Sequence, residues 1–239
     1  IIHGTPGEDG KLSGYFDLIG LPYNSSGVIE SALTFNKNWC NQFLSTFGIT
    51  VPQSVIFYKK ENNTSLKKEI KFPCFVKPNN GGSSIGVRKA INLTELEAAL
   101  ETAFIHDTEV IVEEFIEGRE FSCGILKNER GIKVMPLTEI IVNAEFFDYE
   151  QKYSDNGATE ITPADITSEE AIQCQDIVKK VFDILRLKKV ARIDFILKNG
   201  VFYLIEVNTI PGMSPQSILP QQADYLGISF KSLVNDYLL

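Results

Sequence analysis

The sequence predicts an α/β protein assembled from α+β units, and three observations carry that expectation. Strand-like and helix-like segments alternate irregularly, without a clean βαβ array. Two apolar strands near the C-terminal end flank an Asn-Gly turn, a strong hairpin signal. No internal repeat or low-complexity tract interrupts the pattern. At 239 residues the chain has room for one to two domains. Its 44% hydrophobic and 23% charged residues are ordinary globular composition, which excludes wholesale disorder.

Taken in order, residues 1–35 open on an apolar start, a Gly-rich turn over His3 to Gly10, and a helical pattern at Leu12, Tyr15, Phe16 and Ile19. Leu21-Pro22-Tyr23 reads as an extended turn, because the proline disfavours helix before it. Ser31 to Phe47 carries helical spacing at Leu33, Trp39, Phe43, Leu44 and Phe47, and Gly48 stands where a C-cap glycine belongs. Strands are expected at 54–58 and 73–77, separated by a polar stretch from Lys59 to Lys71 that reads as a loop or solvated helix. A helix starts at Thr94 and runs to about Phe104, and strands at 109–115 and 120–126 flank a turn at Glu117-Gly118. Residues 143–165 are polar and irregular, long enough to be a functional loop. Thr167 to Glu170 is a helix-start pattern continued by Ile172, Ile177, Val178, Val181, Phe182 and Leu185. Strands at 190–197 and 201–207 close the regular part.

Composition narrows the function. Asp and Glu number 31 against 23 Lys and Arg, a formal charge of −8, which argues against a nucleic-acid partner. Cys40, Cys74, Cys123 and Cys174 are far apart without a C-x-x-C pair, and only His3 and His106 are histidines. A zinc cage, a disulfide framework and a histidine triad are therefore poor expectations. No apolar run approaches the roughly 20 residues of a membrane span, and no signal peptide is visible. The simplest location is a reducing cytosol.

The hairpin carries the first chemistry. Arg192 and Asp194 share one side of the first strand, and Glu206 and Asn208 share one side of the second. A two-residue turn at Asn199-Gly200 pairs Asp194 with Ile205 and sets the carboxylates on opposite faces. A three-residue loop with Gly200 left-handed pairs Asp194 with Leu204 and Arg192 with Glu206, and all four polar side chains then face together. The second register is the expectation. Asp, Glu and Asn are oxygen donors suited to Mg²⁺, which takes its remaining ligands from water and nucleotide phosphates. The simpler alternative is a surface ion pair, but Glu206 lies inside the apolar run Tyr203 to Val207.

A phosphate grip is the second. The strand Phe75-Val76-Lys77-Pro78 leads into Asn79-Asn80-Gly81-Gly82-Ser83-Ser84-Ile85-Gly86, whose glycines let backbone N–H groups approach an anion. It lacks the spacing of a P-loop. With Lys77 before it and Lys37 upstream, it is a plausible cover for nucleotide phosphates. The strand Val110 to Phe115 can offer an apolar edge to an adenine, with a carboxylate for the ribose.

These pieces together resemble the ATP-grasp ligases, and among them the D-alanine–D-alanine ligase family. The matching blocks are His3-Gly4 with Gly7-Glu8-Asp9-Gly10; Leu21-Pro22-Tyr23 with Ser31-Ala32-Leu33 and Lys37; Val76-Lys77-Pro78 with Gly82 to Gly86; Glu113-Glu114-Phe115 with Gly118-Arg119-Glu120; Phe147 to Glu150 with Lys152-Tyr153; and Arg192 to Phe195 with Glu206 to Thr209, Pro211-Gly212-Met213 and Ser217. Their order and spacing make the match specific.

The resemblance implies an ATP-grasp fold with ATP between two α+β subdomains, at 36–117 and 118–239, and a lid at about 143–165. Residues 1–35 would be the C-terminal part of a Rossmann-like N-terminal substrate domain, with Ile1 in the middle of it. Lys37, Lys77, Ser84 and Lys152 would contact phosphates, Glu120 the ribose, and Glu113 with the backbone at Glu114-Phe115 the adenine. Asp194, Glu206 and Asn208 would hold two Mg²⁺ ions, a place Mn²⁺ could also take. The family chemistry makes D-alanyl-D-alanine for peptidoglycan through an acyl phosphate. Arg192 and the Gly212 N–H would stabilise the oxyanion, Ser83 and Tyr153 would join in a hydrogen-bond network under the lid, and Ser217 and Ile218 would bind the second substrate's carboxylate. Family members that make D-alanyl-D-lactate typically lack a tyrosine at the position of Tyr153, so the amine nucleophile is expected. A homodimer is implied as well. The family's glutamate for the first D-alanine precedes the His-Gly block, and Glu8 matches a different motif. The alternatives are a D-alanyl-D-lactate ligase, another ATP-grasp carboxylate–amine ligase, or a nucleotide-binding piece without activity.

Overall fold

The computed structural model describes residues 1–61, 64–82, 85–142 and 158–238. Three helices open the chain: α1 (Lys11–Ile19), α2 (Val28–Phe35) and α3 (Lys37–Ser45). The single helix expected from Ser31 to Phe47 is broken at Asn36, whose backbone is extended at φ −90° and ψ 102°. Its side chain caps α3 by accepting from the Trp39 N–H at 2.9 Å, and its backbone bridges Asn80. A cap and a long-range bridge outweigh the helical periodicity there.

The first sheet is antiparallel in the order β1 (Ser54–Tyr58), β4 (Glu109–Glu114), β2 (Cys74–Pro78), β3 (Arg88–Ala90). The polar stretch after β1 holds a short helix, α4 (Thr64–Lys67). Helix α5 (Leu93–His106), capped by the Asn92 side chain, covers one face. Leu96, Ala99, Leu100 and Ala103 pack there on Phe57, Cys74, Val76, Val110 and Val112. Burying the Leu, Val and Phe side chains among them contributes about 1.5–3 kcal/mol each.

The second sheet runs β7 (Ala158–Ile161), β6 (Gly131–Val142), β5 (Arg119–Asn128), β8 (Val190–Lys198), β9 (Val201–Asn208). Helix α6 (Ser168–Ile184) starts at a capping box between Thr167 and Glu170. It buries Cys174, Val178, Val181 and Phe182 against Phe121, Ile193, Phe195 and Leu204 of the sheet. Ile172, expected in the same stripe, stays exposed. At the far end, α7 (Ile218–Tyr225) and α8 (Phe230–Leu233) pack Leu219, Ala223 and Leu233 on Leu126, Met135 and Val190. A π-helical turn, Val234–Leu238, follows. No helix among the described residues is long and apolar enough to cross a membrane.

Three strands, β3, β6 and β7, lie where the sequence reading places none. Strand β6 carries Pro136, which has no N–H for a ladder. The register between β5 and β6 shifts there, Cys123 pairing with Leu137 and Ile125 with Val134. Met135 and Pro136 thus oppose Gly124 alone, and the proline sits in a bulge. Strand β7 falls within the segment read as irregular, at Ala158–Ile161.

The hairpin register is the main correction. The turn has two residues, with Asn199 at φ 52° and Gly200 at φ 75°, the pair of left-handed residues that the commonest hairpin turn requires. Lys198 pairs with Val201 and Phe195 with Leu204, so the three-residue loop is not formed. The ladder then slips, and Asp194 pairs with Glu206 and Arg192 with Asn208. Ile205 is the extra residue on the edge strand, and the preceding Leu204 N–H is held by the Thr50 carbonyl at 2.9 Å. The bulge restores what the tight turn alone would undo: Arg192, Asp194, Glu206 and Asn208 lie on one face.

Candidate active site

The Asp194 carboxylate is the centre of the second sheet's polar face. Its Oδ1 accepts from Ser122 Oγ at 2.6 Å and Arg192 Nε at 3.0 Å, and its Oδ2 from Arg192 Nη2 at 2.8 Å and Asn208 Nδ2 at 3.0 Å. Arg192 thus makes a forked, charge-assisted contact two residues along its own strand. Glu206 beside it faces Lys37 Nζ at 3.4 Å. Lys37 comes from the first turn of α3 and also donates to the Gly81 carbonyl.

Burial together with the Glu206 charge pushes the Cys40 thiol up to about 12. Cys40 is a protonated core residue with no nucleophilic part.

The first sheet presents a different arrangement. Lys77 Nζ stands 2.7 Å from Glu113 Oε2, and both side chains are nearly inaccessible. Asn41, one helical turn beyond Lys37 on α3, donates from Nδ2 to Glu113 Oε1 at 3.4 Å. The loop that follows β2 is fixed at its base by asparagines. Asn79 Oδ1 accepts from the Asn38 N–H at 2.9 Å and its Nδ2 donates to Glu109 Oε2 at 2.7 Å. The Asn80 N–H donates to Asp107 Oδ2 at 2.7 Å, and Asn36 Nδ2 donates to Asn80 Oδ1 at 3.0 Å. This scaffold brings Gly81 and Gly82 to the second sheet's polar end. Glu8, Thr34, Phe35, Gly81, Gly82 and residues 206–209 line one narrow cleft.

Glu206 and Asn208 line this cleft and Lys37 reaches Glu206, while Asp194 and Arg192 hydrogen-bond directly behind Asn208. Lys77 and Glu113 meet each other on the first sheet. Glu120 is half-buried on β5, two residues before Ser122 on the same face. At the start of α7, Ser217 is the N-cap residue, and its Oγ accepts from the Ser214 N–H at 3.1 Å. Gly212 lies directly against that hydroxyl, and Ile218 is the first helical residue. Ser83, Ser84, Lys152 and Tyr153 lie outside the described residues.

At Glu114 and Phe115, the positions expected to line the adenine, the backbone N–H groups have partners within the protein. The Glu114 N–H donates to the Gln53 carbonyl at 2.9 Å and the Phe115 N–H to the Pro73 carbonyl at 3.3 Å. The Glu114 carboxylate is engaged too, accepting from the Gln53 N–H at 2.8 Å.

Two contributors were not assigned from sequence. Ser122 holds Asp194, and its signal is its place two residues after Glu120 on a strand. Glu8 was set aside on motif grounds, yet it lines the cleft, accepting from the Gly4 N–H at 2.5 Å and standing 3.8 Å from His3 Nδ1.

Among the described residues no three His, Cys, Asp or Glu side chains gather as a self-sufficient metal site. Two carboxylates and an amide oxygen are nonetheless the donor set of a hard cation that takes the rest of its shell from water and phosphates. The cations now beside Asp194 and Glu206 mark where positive charge is stable. The residues fit Mg²⁺ on that ground.

A family model described as D-ala D-ala ligase C-terminus matches residues 43–239. A D-alanine–D-alanine ligase of Parabacteroides distasonis is 46% identical over 99% of this chain and 72% of its own length. The crystal structure of the VanG D-Ala:D-Ser ligase from Enterococcus faecalis superposes with a TM-score of 0.90 at 36% identity, over 98% of this chain and 69% of that one. The D-alanine–D-alanine ligase of Bacillus anthracis complexed with ATP superposes with a TM-score of 0.85 at 32% identity, over 98% of this chain and 75% of that one.

Proposed function

The chain belongs to the D-alanine–D-alanine ligase family, with its ATP-grasp fold, and from that premise we propose that it joins two D-alanines at the expense of ATP, supplying D-alanyl-D-alanine for peptidoglycan precursors. The observation that carries this reading is the single polar face formed by Arg192, Asp194, Glu206 and Asn208 opposite Lys37 and the glycine loop.

ATP lies between the two sheets, in subdomains spanning 36–117 and 118–239. Lys77 and Lys37 hold its phosphates, joined by Ser84 and Lys152, and Glu120 takes the ribose. Glu113, with the backbone at Glu114-Phe115, lines the adenine, and its carboxylate also holds Lys77. Asp194, Glu206 and Asn208 would hold Mg²⁺, which would supply positive charge against the phosphates. A carboxylate oxygen of the first D-alanine attacks the γ-phosphorus, the bond to the β–γ bridging oxygen breaks, and ADP leaves. The amine of the second D-alanine, having lost a proton, attacks the acyl carbon, and inorganic phosphate departs. Arg192 and the Gly212 N–H face the oxyanion of that tetrahedral step, where fixed donors act most strongly. Ser217 and the Ile218 N–H, at a helix N-terminus, suit the acceptor's carboxylate. Ser83 and Tyr153, with the part of the expected lid that precedes β7, would keep water from the acyl phosphate. We place the protein in the cytoplasm as a homodimer.

A second reading keeps the chemistry and changes the acceptor to D-serine, favoured by the likeness to the VanG D-Ala:D-Ser ligase. Phosphate release from ATP with D-alanine alone, and with D-serine, D-lactate or L-alanine added, separates the readings. Release driven by D-alanine alone is expected, with no gain from D-lactate or L-alanine. ATP binding without any D-alanine-dependent release would defeat the ligase reading.

A further inference from the structure

We infer that Gln222 is a positioning residue that ties helix α7, on the acceptor side, to the strand that holds Asp194. The inference rests on the ligase reading above and adds to it a link between the two halves of the site. Gln222 is fully buried within an otherwise apolar cluster that includes Leu126, Met135 and Leu219. An amide in such surroundings is tolerated only when its polar atoms are satisfied. Its Oε1 accepts from the Gly124 N–H at 3.0 Å, and its Nε2 donates to the Ser122 carbonyl at 2.9 Å and to Thr138 Oγ1 at 3.0 Å.

Gly124 lies in the bulge where β5 and β6 slip register, and Ser122 and Thr138 are a paired couple beside it. The Gly124 N–H is the group such an irregularity leaves without a ladder partner, and Gln222 supplies the acceptor. The fit is close: a Cβ on Gly124 would stand 2.2 Å from Leu219 Cδ1, so α7 can press this near only over glycine. Thr138 Oγ1 is itself 2.6 Å from Thr162 Oγ1.

Ser122 is the hinge of the link. Its carbonyl takes Gln222, and its hydroxyl donates to Asp194 Oδ1 at 2.6 Å. Toward the other end of α7, Ile218 precedes Gln222 by four residues and shares its face of the helix. One amide therefore fixes how far the Ser217–Ile218 end stands from the Asp194 carboxylate. A buried network with every member paired holds one geometry, and contacts behind a metal-binding carboxylate typically change affinity by about 10–100-fold.

The test is Gln222→Met, close in volume but unable to bond the bulge, beside Ser122→Ala, which removes only the hydroxyl to Asp194. ATP binding is followed by calorimetry against Mg²⁺ concentration, and phosphate release against D-alanine. For Q222M we expect the half-saturating Mg²⁺ and the KM for acceptor D-alanine each to rise about tenfold, the low end for such contacts, while kcat at saturation stays within about twofold. S122A should raise the Mg²⁺ requirement alone. A folded Q222M with either constant unchanged overturns the coupling, as does a drop in melting temperature with both constants intact. If Q222M does not fold, S122A decides: an unaltered Mg²⁺ dependence refutes the link. If wild-type protein releases no phosphate with D-alanine, the ligase reading fails, while the Mg²⁺ titration of ATP binding still judges the contact to Asp194.

Discussion

The two sheets hold their charged residues in opposite ways. On the first, the Lys77 and Glu113 side chains are only 8% and 4% exposed and bound to each other at 2.7 Å. On the second, Arg192 and Asp194 are 24% and 13% exposed, and Glu206 is 26% exposed opposite a Lys37 that is itself only 10% exposed. A buried pair is fixed, because separating it strands a charge in a poor solvent. A partly exposed pair, such as Arg192 with Asp194, exchanges partners at lower cost, since water reaches one side of it. The first sheet therefore offers a preset surface for phosphate, and the second a set of carboxylates whose present partners a metal ion can replace.

The largest expected effect lies on the fixed side. Lys77→Met leaves Glu113 buried without its cation, and urea unfolding should register a loss of about 3–5 kcal/mol. A loss below about 1 kcal/mol would place this pair with the exchangeable ones and erase the contrast. On the other sheet, Arg192→Ala should lower D-alanine-dependent phosphate release by about 10²–10³-fold. The Mg²⁺ needed for half-maximal ATP binding should fall, because Asp194 loses its competing guanidinium. An increased Mg²⁺ requirement would mean that Arg192 orients Asp194 rather than competing for it.

The thiols give a smaller effect with a definite sign. Burial raises Cys40 to about 12 and Cys74 to about 11, against about 8.5 for a free thiol. Between those values the native chain keeps protons that the unfolded chain loses, so this stability is complete below about pH 8.5 and falls as pH rises, by about 1.4 kcal/mol per pH unit per thiol. Cys40→Ala should flatten the alkaline limb of a stability–pH curve, and an unchanged slope would contradict the burial. Smallest is Thr167→Ala, remote from both polar faces. Losing its half of the α6 cap should cost about 1 kcal/mol of stability and leave the Mg²⁺ dependence of ATP binding where it was.

Local patterns made much of this fold legible. Strand β1 was read at 54–58 and the structure places it at Ser54–Tyr58, because its β-branched and aromatic run is bounded by turns. The start of α6 was equally plain, since Thr167 and Glu170 carry the capping box in their spacing. The misses share a cause. The break at Asn36 and the extra residue at Ile205 have distant partners, Asn80 and Thr50, and the bulge opposite Gly124 joins the local Pro136 to the distant Gln222. Nothing in the run Tyr203 to Val207 marks Ile205 as the slipped residue, so the polar face was anticipated through the wrong turn. Ser122 and Gln222 were invisible for the same reason: a serine in a strand and a glutamine in a helix acquire meaning only when α7 crosses β5.

The measurement closest to the contrast between the sheets is ATP affinity with and without Mg²⁺, compared for wild type and Asp194→Asn. The account predicts equal affinity in the presence of a chelator, because Asp194 meets ATP only through the metal. On adding Mg²⁺, wild type should tighten and Asp194→Asn should not. An Asp194→Asn protein that tightens as wild type does would remove the second sheet from metal binding and contradict the account.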